Sequence, residues 1–564
     1  MKQIGIKIKS WWQIIVALSN EQKIQWGMNI LALIFFLMNY KYLAYPDEFV
    51  NILGGKFILQ GKVPYKDFFD HHLPFAWYYS AFLLLISFGN FITFRLFWAL
   101  SNFLALFAVG QWIRKNHSDM YWVYLIFLVM YPVMAVYFWF HLYLGDSLGV
   151  LFFSITFWLL IVQTIQKKID MKIIAITSLT TFCMFFSALT YIYLAMMLYV
   201  WQLYLIGVNK KNIIRWIIAC ATPGIVYLLY LVVTGSLKDF YISNFVYNTT
   251  LYIDIPNYHA GAHFNPLRFA FTILYNFWGN YLALLTQIKF LDLYLPIGTL
   301  AGLGTLTLLI VLLSRYPIVG FIYFLMLSFS APRSNIQQYK ETDYQACLFL
   351  VFGMVSSTVA IYLLTKTKYH ERLFEDLKRI SLVLMSIFLF FSFIFLVNNS
   401  YSKYYQRYML VMPSIMDRGF MADFIDELIN KDDYFWIGPF EPHEAFFVTK
   451  GKFPGKFPTL LPQFRENEYF KNAFLDQFNT NRPKVMIFKH VSSIFGTPAT
   501  TFGAFFLSWM DGKYIRLNQI KNVEILRQPS NMDLSNDLMI RLDAKDEVLK
   551  KLKDKGYIEI KSKV

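Results

Sequence analysis

The chain has 564 residues, 57% of them hydrophobic and 20% aromatic, with only 16% charged and a mean hydropathy of +0.43. Soluble proteins average roughly 25% charged residues, so the composition excludes an ordinary soluble protein and indicates an integral membrane protein with many spans. The formal net charge of +16 lies mostly in short turns between apolar runs, as it does in cytoplasmic loops. The basic excess therefore reads as topology and contact with anionic membrane lipids, and no nucleic-acid role is expected.

Residues 1–23 are basic and contain Trp11 and Trp12, which suits an amphipathic segment on the cytoplasmic surface. The run after Lys23 lacks a small-residue cleavage site, so it is expected to be kept as the first span, 24–40, rather than removed as a signal. It delivers the stretch 45–75, YPDEFVNILGGKFILQGKVPYKDFFDHHLPF, to the far side. Ionisable groups this dense beside a span are functional candidates by default, with a solvated loop of interfacial anchors as the alternative. Within it, residues 47–59 place Phe49, Ile52, Leu53 and Phe57 on one helical face, with Asp47, Glu48 and Asn51 on the other. Gly54 and Gly55 would let a neighbouring helix approach closely, because glycine has no Cβ.

Residues 75–89 reach only about 22 Å as a helix, short of the roughly 30 Å hydrocarbon core. The segment 91–113 ends in Arg114 and Lys115, which should be cytoplasmic, so 75–89 is expected to be interfacial or re-entrant. Residues 120–139 then go out, a turn holds His141 to Asp146, and 147–166 return to Lys167 and Lys168. The run 172–208 has basic turns at both ends and must be a hairpin of two spans turning near 187–191. Residues 213–234 lead to an external loop, 235–265, and 266–286 are expected to lie in the interface. The remaining crossings are 291–313, 316–330, 344–365 and 380–398, with Lys366 to Arg379 cytoplasmic. The fold class expected is a polytopic α-helical membrane protein with about eleven spans, its N-terminus inside.

From about Asn399 the composition changes. Short β-rich runs at 434–438, 485–488 and 523–526 alternate with charged helical stretches such as 544–556. The division expected is a membrane domain, 1–398, and an extracytoplasmic α/β domain, 399–564. Cys183, Cys220 and Cys347 all sit in apolar segments, so neither a disulfide framework nor a zinc site is expected from cysteines. The run GGKFILQGK lacks the strand and spacing of a phosphate-binding loop.

Charge parity puts Asp47, Glu48, Asp70, His71, His72, Asp146, Arg333 and Lys340 on one external rim. Two carboxylates at a membrane edge suit hydroxyl deprotonation and support of a sugar carbon that gains positive charge. Cations on the same rim, Arg333 and Lys340 with His71 or His72, would hold a phosphate leaving group. A lipid-linked phosphosugar is the natural donor, since its lipid lies in the bilayer and its headgroup at the rim.

The first span ending in Asp47-Glu48, then Gly61-x-Val63-Pro64-Tyr65-x-Asp67, the knot Asp70-His71-His72, Pro74 and an aromatic helix resembles the lipid-linked-sugar glycosyltransferases of the GT-C superfamily. The nearest likeness is to the protein O-mannosyltransferase and aminoarabinose-transferase group. It continues through Phe88, Gly89, Arg95 and Leu96 to His141 and Asp146, and covers roughly the first third of the chain. The resemblance implies a GT-C-like membrane domain, a polyprenyl-phosphate sugar donor, and a lipid, glycan or protein acceptor outside the membrane. It implies Asp47 as catalytic base, Asp146 as its assistant, and inversion at the anomeric carbon. Where relatives show acid-Lys-Pro-Pro, this chain has Asp70-His71-His72-Leu73-Pro74, and an imidazole with a pKa of about 6.5 is not a guaranteed cation.

Capping of a helix N-terminus rivals function for Asp47 and Asp146, and simple solvation rivals assistance for Glu48. Tyr65 and Asp67 read as loop-shaping. For Asp70-His71-His72, a hydrogen-bonded knot, a phosphate contact and metal ligation stand side by side. No cofactor is required by the residues, and a divalent metal ion on Asp70 and His71 is the alternative left open. His259 and His263 have helical ligand spacing in a glycine-containing loop, a weak signal. A transporter or flippase of a lipid-linked glycan is the rival function, opposed by the lack of an internal repeat or matched broken spans. A non-catalytic scaffold would leave the acidic loop unexplained.

Overall fold

The computed structural model describes residues 19–42, 44–252, 266–286, 295–331, 344–367, 372–403 and 419–561. In chain order the first helices are α1 (Asn20–Asn39), α2 (Pro46–Leu59), α3 (Phe75–Ile86), α4 (Phe91–Asn116), α5 (Ser118–Tyr137), α6 (Gly145–Gln166), α7 (Met171–Ser187), α8 (Ile192–Ile206) and α9 (Lys210–Val233). They are followed by α10 (Pro266–Thr286), α11 (Leu295–Arg315), α12 (Pro317–Ser330), α13 (Cys347–Lys366) and α14 (Arg372–Val397). Among the described residues eight helical stretches are long and apolar enough to cross a membrane: 91–116, 118–137, 145–166, 189–206, 210–233, 297–315, 347–366 and 375–401. The protein is thus helical and suited to a multi-pass membrane setting. α1 has the length, but its buried Gln25, Asn29 and Asn39 lower its hydropathy. α3, α7 and α12 are apolar and shorter.

The chain forms two compact units. The first comprises residues 1–42, 95–224 and 270–411. With little hydrophobic drive between helices in lipid, close backbone approach and buried polar bonds hold such a bundle. A Cβ on Gly304 would meet the Ser357 Oγ at 2.0 Å, and one on Gly353 would meet the Ala301 Cβ at 2.6 Å, so α11 and α13 touch almost backbone to backbone. Gln202 on α8 accepts from Ser178 at 2.8 Å and from Trp216 at 3.0 Å, tying α7, α8 and α9. The 172–208 run is a helical hairpin, with its turn at Leu189–Tyr191, as the paired basic ends require.

The second unit comprises residues 43–94, 225–269 and 412–564. Its sheet has the order β1-β2-β7-β5, from α15 (Phe420–Leu428), β1 (Phe435–Gly438), α16 (Pro442–Phe447), α17 (Glu468–Thr480), β2 (Val485–Phe488), β3 (Ser493–Ile494), β4 (Thr497–Pro498), α18 (Ala504–Met510), β5 (Tyr514–Arg516), β6 (Val523–Ile525), β7 (Leu538–Arg541), α19 (Lys545–Asp554) and β8 (Ile558–Ile560). β1 runs parallel to β2, and β7 antiparallel to β2 and β5. Because side chains alternate along a strand, Phe435, Ile437, Val485 and Ile487 join one core with Ile425, Val548 and Leu552. Trp436, Met486 and Phe488 join the opposite core with Phe470, Phe474 and Phe506. That second core also takes in Phe69 and Tyr247, so the first loop and the segment after α9 are built into this unit.

Part of the stretch read as loop at 235–265 is helical: Leu237–Tyr241 continues through Ile242–Val246 to Tyr247–Thr250. Tyr247 is buried and Phe240 packs on Tyr65, which stabilises turns that polarity alone would leave open, while Tyr241 and Phe245 stay exposed.

Lys484, just before the inner strand β2, has a side chain only 4% exposed, bonded to Asp433 at 3.0 Å and Glu547 at 2.5 Å. Burial disfavours its charge, yet the hydrogen bonds of Glu547 and Asp433 outweigh burial and raise its pKa. The Lys484 hydrogen bond in turn lowers the pKa of Glu547. A carboxyl held below its unfolded value contributes stability at neutral pH that is lost as pH falls through the folded value. Lys484→Met should cost about 1–2 kcal/mol, because the orphaned carboxylates still reach water. The variant should also lose less stability than wild type on acidification through the carboxylate range. Thermal unfolding of the full chain across pH reads both effects; identical curves for the two proteins would rule the network out as a stabiliser.

Candidate functional site

Asp47 and Glu48 open α2, with Pro46 in the first turn. Proline is preset for that position and wastes no donor there, and the helix N-terminus favours both carboxylates. The apolar face predicted for this helix is observed: Phe49, Ile52, Leu53 and Phe57 are all buried. The opposite face differs from expectation. Asp47 is half-buried, but Glu48 is fully enclosed at 0% exposure and Asn51 is buried too, so the solvated reading of Glu48 fails. α2 is covered on nearly every side because α3 and α16 both pack on it.

Gly54 and Gly55 explain how α3 gets so close. A Cβ on Gly54 would lie 2.7 Å from the Trp77 ring, and one on Gly55 would lie 2.0 Å from Ser80 Oγ and 2.7 Å from the Ala81 nitrogen. At 12 residues, α3 is about 18 Å long, against a hydrocarbon core of roughly 30 Å.

The loop between these helices is tightly determined. Asp67 accepts from the Val63 N–H at 2.7 Å. Tyr65 adopts a φ of 67°, is fully buried between Trp77 and Phe240, and donates to the His72 carbonyl at 2.7 Å. Both residues shape the loop. The Phe69 N–H donates to the Lys456 carbonyl at 2.7 Å, and its ring lies within 5.5 Å of Phe457, Phe464 and Phe470.

Asp70, His71 and His72 come together. Asp70 Oδ1 accepts from the His72 N–H at 3.0 Å and lies 2.7 Å from His72 Nδ1 and 3.7 Å from His71 Nδ1. Burial alone would push the Asp70 carboxyl up, but His72 and then His71 outweigh it, and its pKa lies below the usual range. The hydrogen-bonded knot is therefore observed, and these three residues are also the ones that could hold a metal ion, with ligand atoms within 4.8 Å of one another.

Asp146 belongs to the other unit, in the first turn of α6. The Tyr191 hydroxyl donates to its Oδ1 at 2.5 Å. That contact depends on two glycines: a Cβ on Gly145 would meet the Ser187 carbonyl at 2.6 Å, and one on Gly149 would meet the Tyr191 ring at 2.7 Å. In the same unit Arg95 is buried and donates to the Tyr42 carbonyl, while His141 presents its carbonyl to Trp98 at 3.1 Å. Arg333 and Lys340, with His259 and His263, lie outside the described residues.

Several participants escaped the sequence reading. Lys56 donates to the Phe446 and Val448 carbonyls at 2.6 and 2.8 Å, and burial, only partly offset by Asp426, lowers its pKa to about 8. His443 stands with its ring 4.4 Å from Phe49, close to the acidic start of α2. Tyr191, Tyr247 and Asn248 are further examples. The only local hint was the run Glu441-Pro442-His443-Glu444, dense in ionisable groups within a domain that otherwise looks structural.

No protein-family model matches the chain, and no curated protein matches it. The likeness to GT-C glycosyltransferases therefore rests on the residues quoted for it.

Proposed function

We propose that this protein is a polytopic membrane glycosyltransferase that moves a sugar from a polyprenyl-phosphate carrier to an acceptor hydroxyl outside the membrane, with inversion. The observation that carries the reading is the acidic pair at the start of α2. Glu48 is enclosed and Asp47 keeps access to solvent, on a helix fixed by its neighbours, as a positioned general base requires.

In this reaction Asp47 takes the proton of the acceptor hydroxyl as its oxygen attacks the anomeric carbon. The bond from that carbon to the phosphate oxygen breaks, and its electron pair leaves with polyprenyl phosphate. Asp146, oriented by Tyr191, steadies the acceptor or the developing positive charge. Glu48, enclosed on the same turn, is the second acidic group of the site. His71 and His72, with Arg333 and Lys340, serve the phosphate.

Adding α1, α7 and α12 to the eight apolar stretches makes eleven crossings and leaves α3 and α10 in the interface. α12, at 14 residues, is hardly longer than α3, and its crossing rests on the basic turn at Arg315. This topology puts the N-terminus in the cytoplasm and the C-terminal α/β domain outside the cell membrane.

The test is sugar transfer by purified protein in liposomes supplied with a panel of polyprenyl-phosphate sugars and membrane extract as acceptor source. Transfer from one donor class is expected. Movement of the carrier between leaflets with no transfer from any donor would replace this reading with the flippase.

A further inference from the structure

Three consecutive side chains rarely share a target, because neighbours in an extended chain point to opposite faces. Here the backbone bends at His71 and His72, and Asp70, His71 and His72 each bring one donor atom to a common point. Both imidazole Nδ1 atoms face the same carboxylate oxygen, at 2.7 Å for His72 and 3.7 Å for His71.

The bend is clamped from outside. Asn248 donates to the His71 carbonyl at 2.8 Å, and Tyr65 donates to the His72 carbonyl. The His71 ring lies 4.6 Å from the ring of Tyr252 and 5.4 Å from that of Tyr247. Phe69 on one side is locked into the aromatic core, and α3 begins at Phe75 on the other.

We propose that Asp70, His71 and His72 form a binding site for a divalent transition-metal ion, with Zn²⁺ the best fit to the donor set. Two imidazole nitrogens and one carboxylate suit Zn²⁺, whereas Mg²⁺ and Ca²⁺ take oxygen ligands. Tetrahedral Zn²⁺ with bonds of about 2.0–2.1 Å separates its ligand atoms by roughly 3.4 Å. The 2.7 Å pair must open by about 0.7 Å, and the wider separations, 3.7 Å and at most 4.8 Å, must close, which side-chain rotations of the two imidazoles accomplish. The partners on the backbone and rings are the outer contacts that fix ligand orientation at metal centres.

The His72 side chain is 55% exposed, so the fourth position opens to water or a ligand, as at catalytic rather than structural zinc sites. In the proposed transfer reaction the ion would accept a phosphate oxygen and offset charge on the leaving group. Two imidazoles alone do not guarantee a cation at neutral pH. This role rests on the proposed function; the site itself does not.

The test uses the full chain in detergent, stripped with chelator and titrated with Zn²⁺ by calorimetry, with Co²⁺ absorption as a second readout of nitrogen and oxygen ligation. One ion per chain is expected, with micromolar or tighter affinity. His72→Ala should weaken it at least 10-fold, and His71→Ala with His72→Ala at least 100-fold. His72→Ala also removes the 2.7 Å partner of the buried Asp70 carboxylate, so unfolding is followed in the stripped state and affinities are compared on folded protein only. Absence of saturable uptake by wild type, or equal uptake by His72→Ala, would overturn the site. Inorganic phosphate should bind the loaded protein more tightly than the stripped one; equal binding would overturn the phosphate role alone. Zinc binding by a protein that transfers no sugar would count against the proposed function and leave the site standing.

Discussion

Asp47→Asn should lower sugar transfer by a factor of about 10²–10⁴, the usual loss when a general base is removed, with expression and unfolding temperature close to wild type. The amide has the carboxylate's shape, and Asp47 is only half-buried, so the fold loses little beyond a favourable charge at a helix N-terminus, about 0.3–1 kcal/mol. KM for the carrier should stay within a small factor, because the proton is transferred only as the acceptor attacks. Asp146→Asn should be milder. Its amide oxygen still accepts the Tyr191 hydroxyl that the carboxylate accepts at 2.5 Å, so orientation survives while charge does not. Rates are read as initial transfer in liposomes normalised to reconstituted protein. Wild-type turnover in Asp47→Asn would end the base assignment.

Gly55→Ala should destabilise the protein by about 2–3 kcal/mol, although alanine is the better helix former by about 1 kcal/mol. The new Cβ would lie 2.0 Å from Ser80 Oγ and 2.7 Å from the Ala81 backbone nitrogen. The hydroxyl can rotate away, but the backbone cannot, so α2 and α3 must separate. Gly27→Ala is the matched control: nothing lies within 4 Å of its Cβ position, and the helix propensity gain of up to about 1 kcal/mol should appear undiminished. The same substitution thus has opposite signs in two helices. Ser80→Ala in the Gly55→Ala background should recover only part of the loss. Thermal unfolding in detergent reports all three, and a Gly55→Ala protein as stable as Gly27→Ala would disprove the tight crossing.

What could be read from the sequence was local and periodic. Phe49, Ile52, Leu53 and Phe57 recur at helical spacing, and all four are buried on α2. The runs at 435–438 and 485–488 are strands, and 545–554 is a helix, because short apolar runs and charged amphipathic stretches declare themselves within a few residues. The hairpin turn near 187–191 followed from the basic residues at both ends of its apolar run. Residues that meet across hundreds of positions left no such trace. Nothing around Phe69 signals that Phe457, Phe464 and Phe470 surround it. For Glu48 the sequence leaves solvation and assistance side by side, because what encloses it is not its sequence neighbours but helices packed on α2. His443 looks like a surface residue until Phe49 is placed beside it.

The interleaving of the second unit bears on how the chain is made. Residues 43–94 leave the ribosome well before the 412–564 segment that completes their unit. At about 5–20 residues per second, the roughly 390 residues between Phe69 and Phe457 take about 20–80 s to synthesise. For that interval the loop that bears Asp47 and the Asp70 knot lacks its cover, with Phe57 and Phe69 without their partners Phe453 and Phe457. Packing of the first loop is thereby coupled to the synthesis of residues 412–564. A chain stalled before that segment has its first loop made but not yet packed.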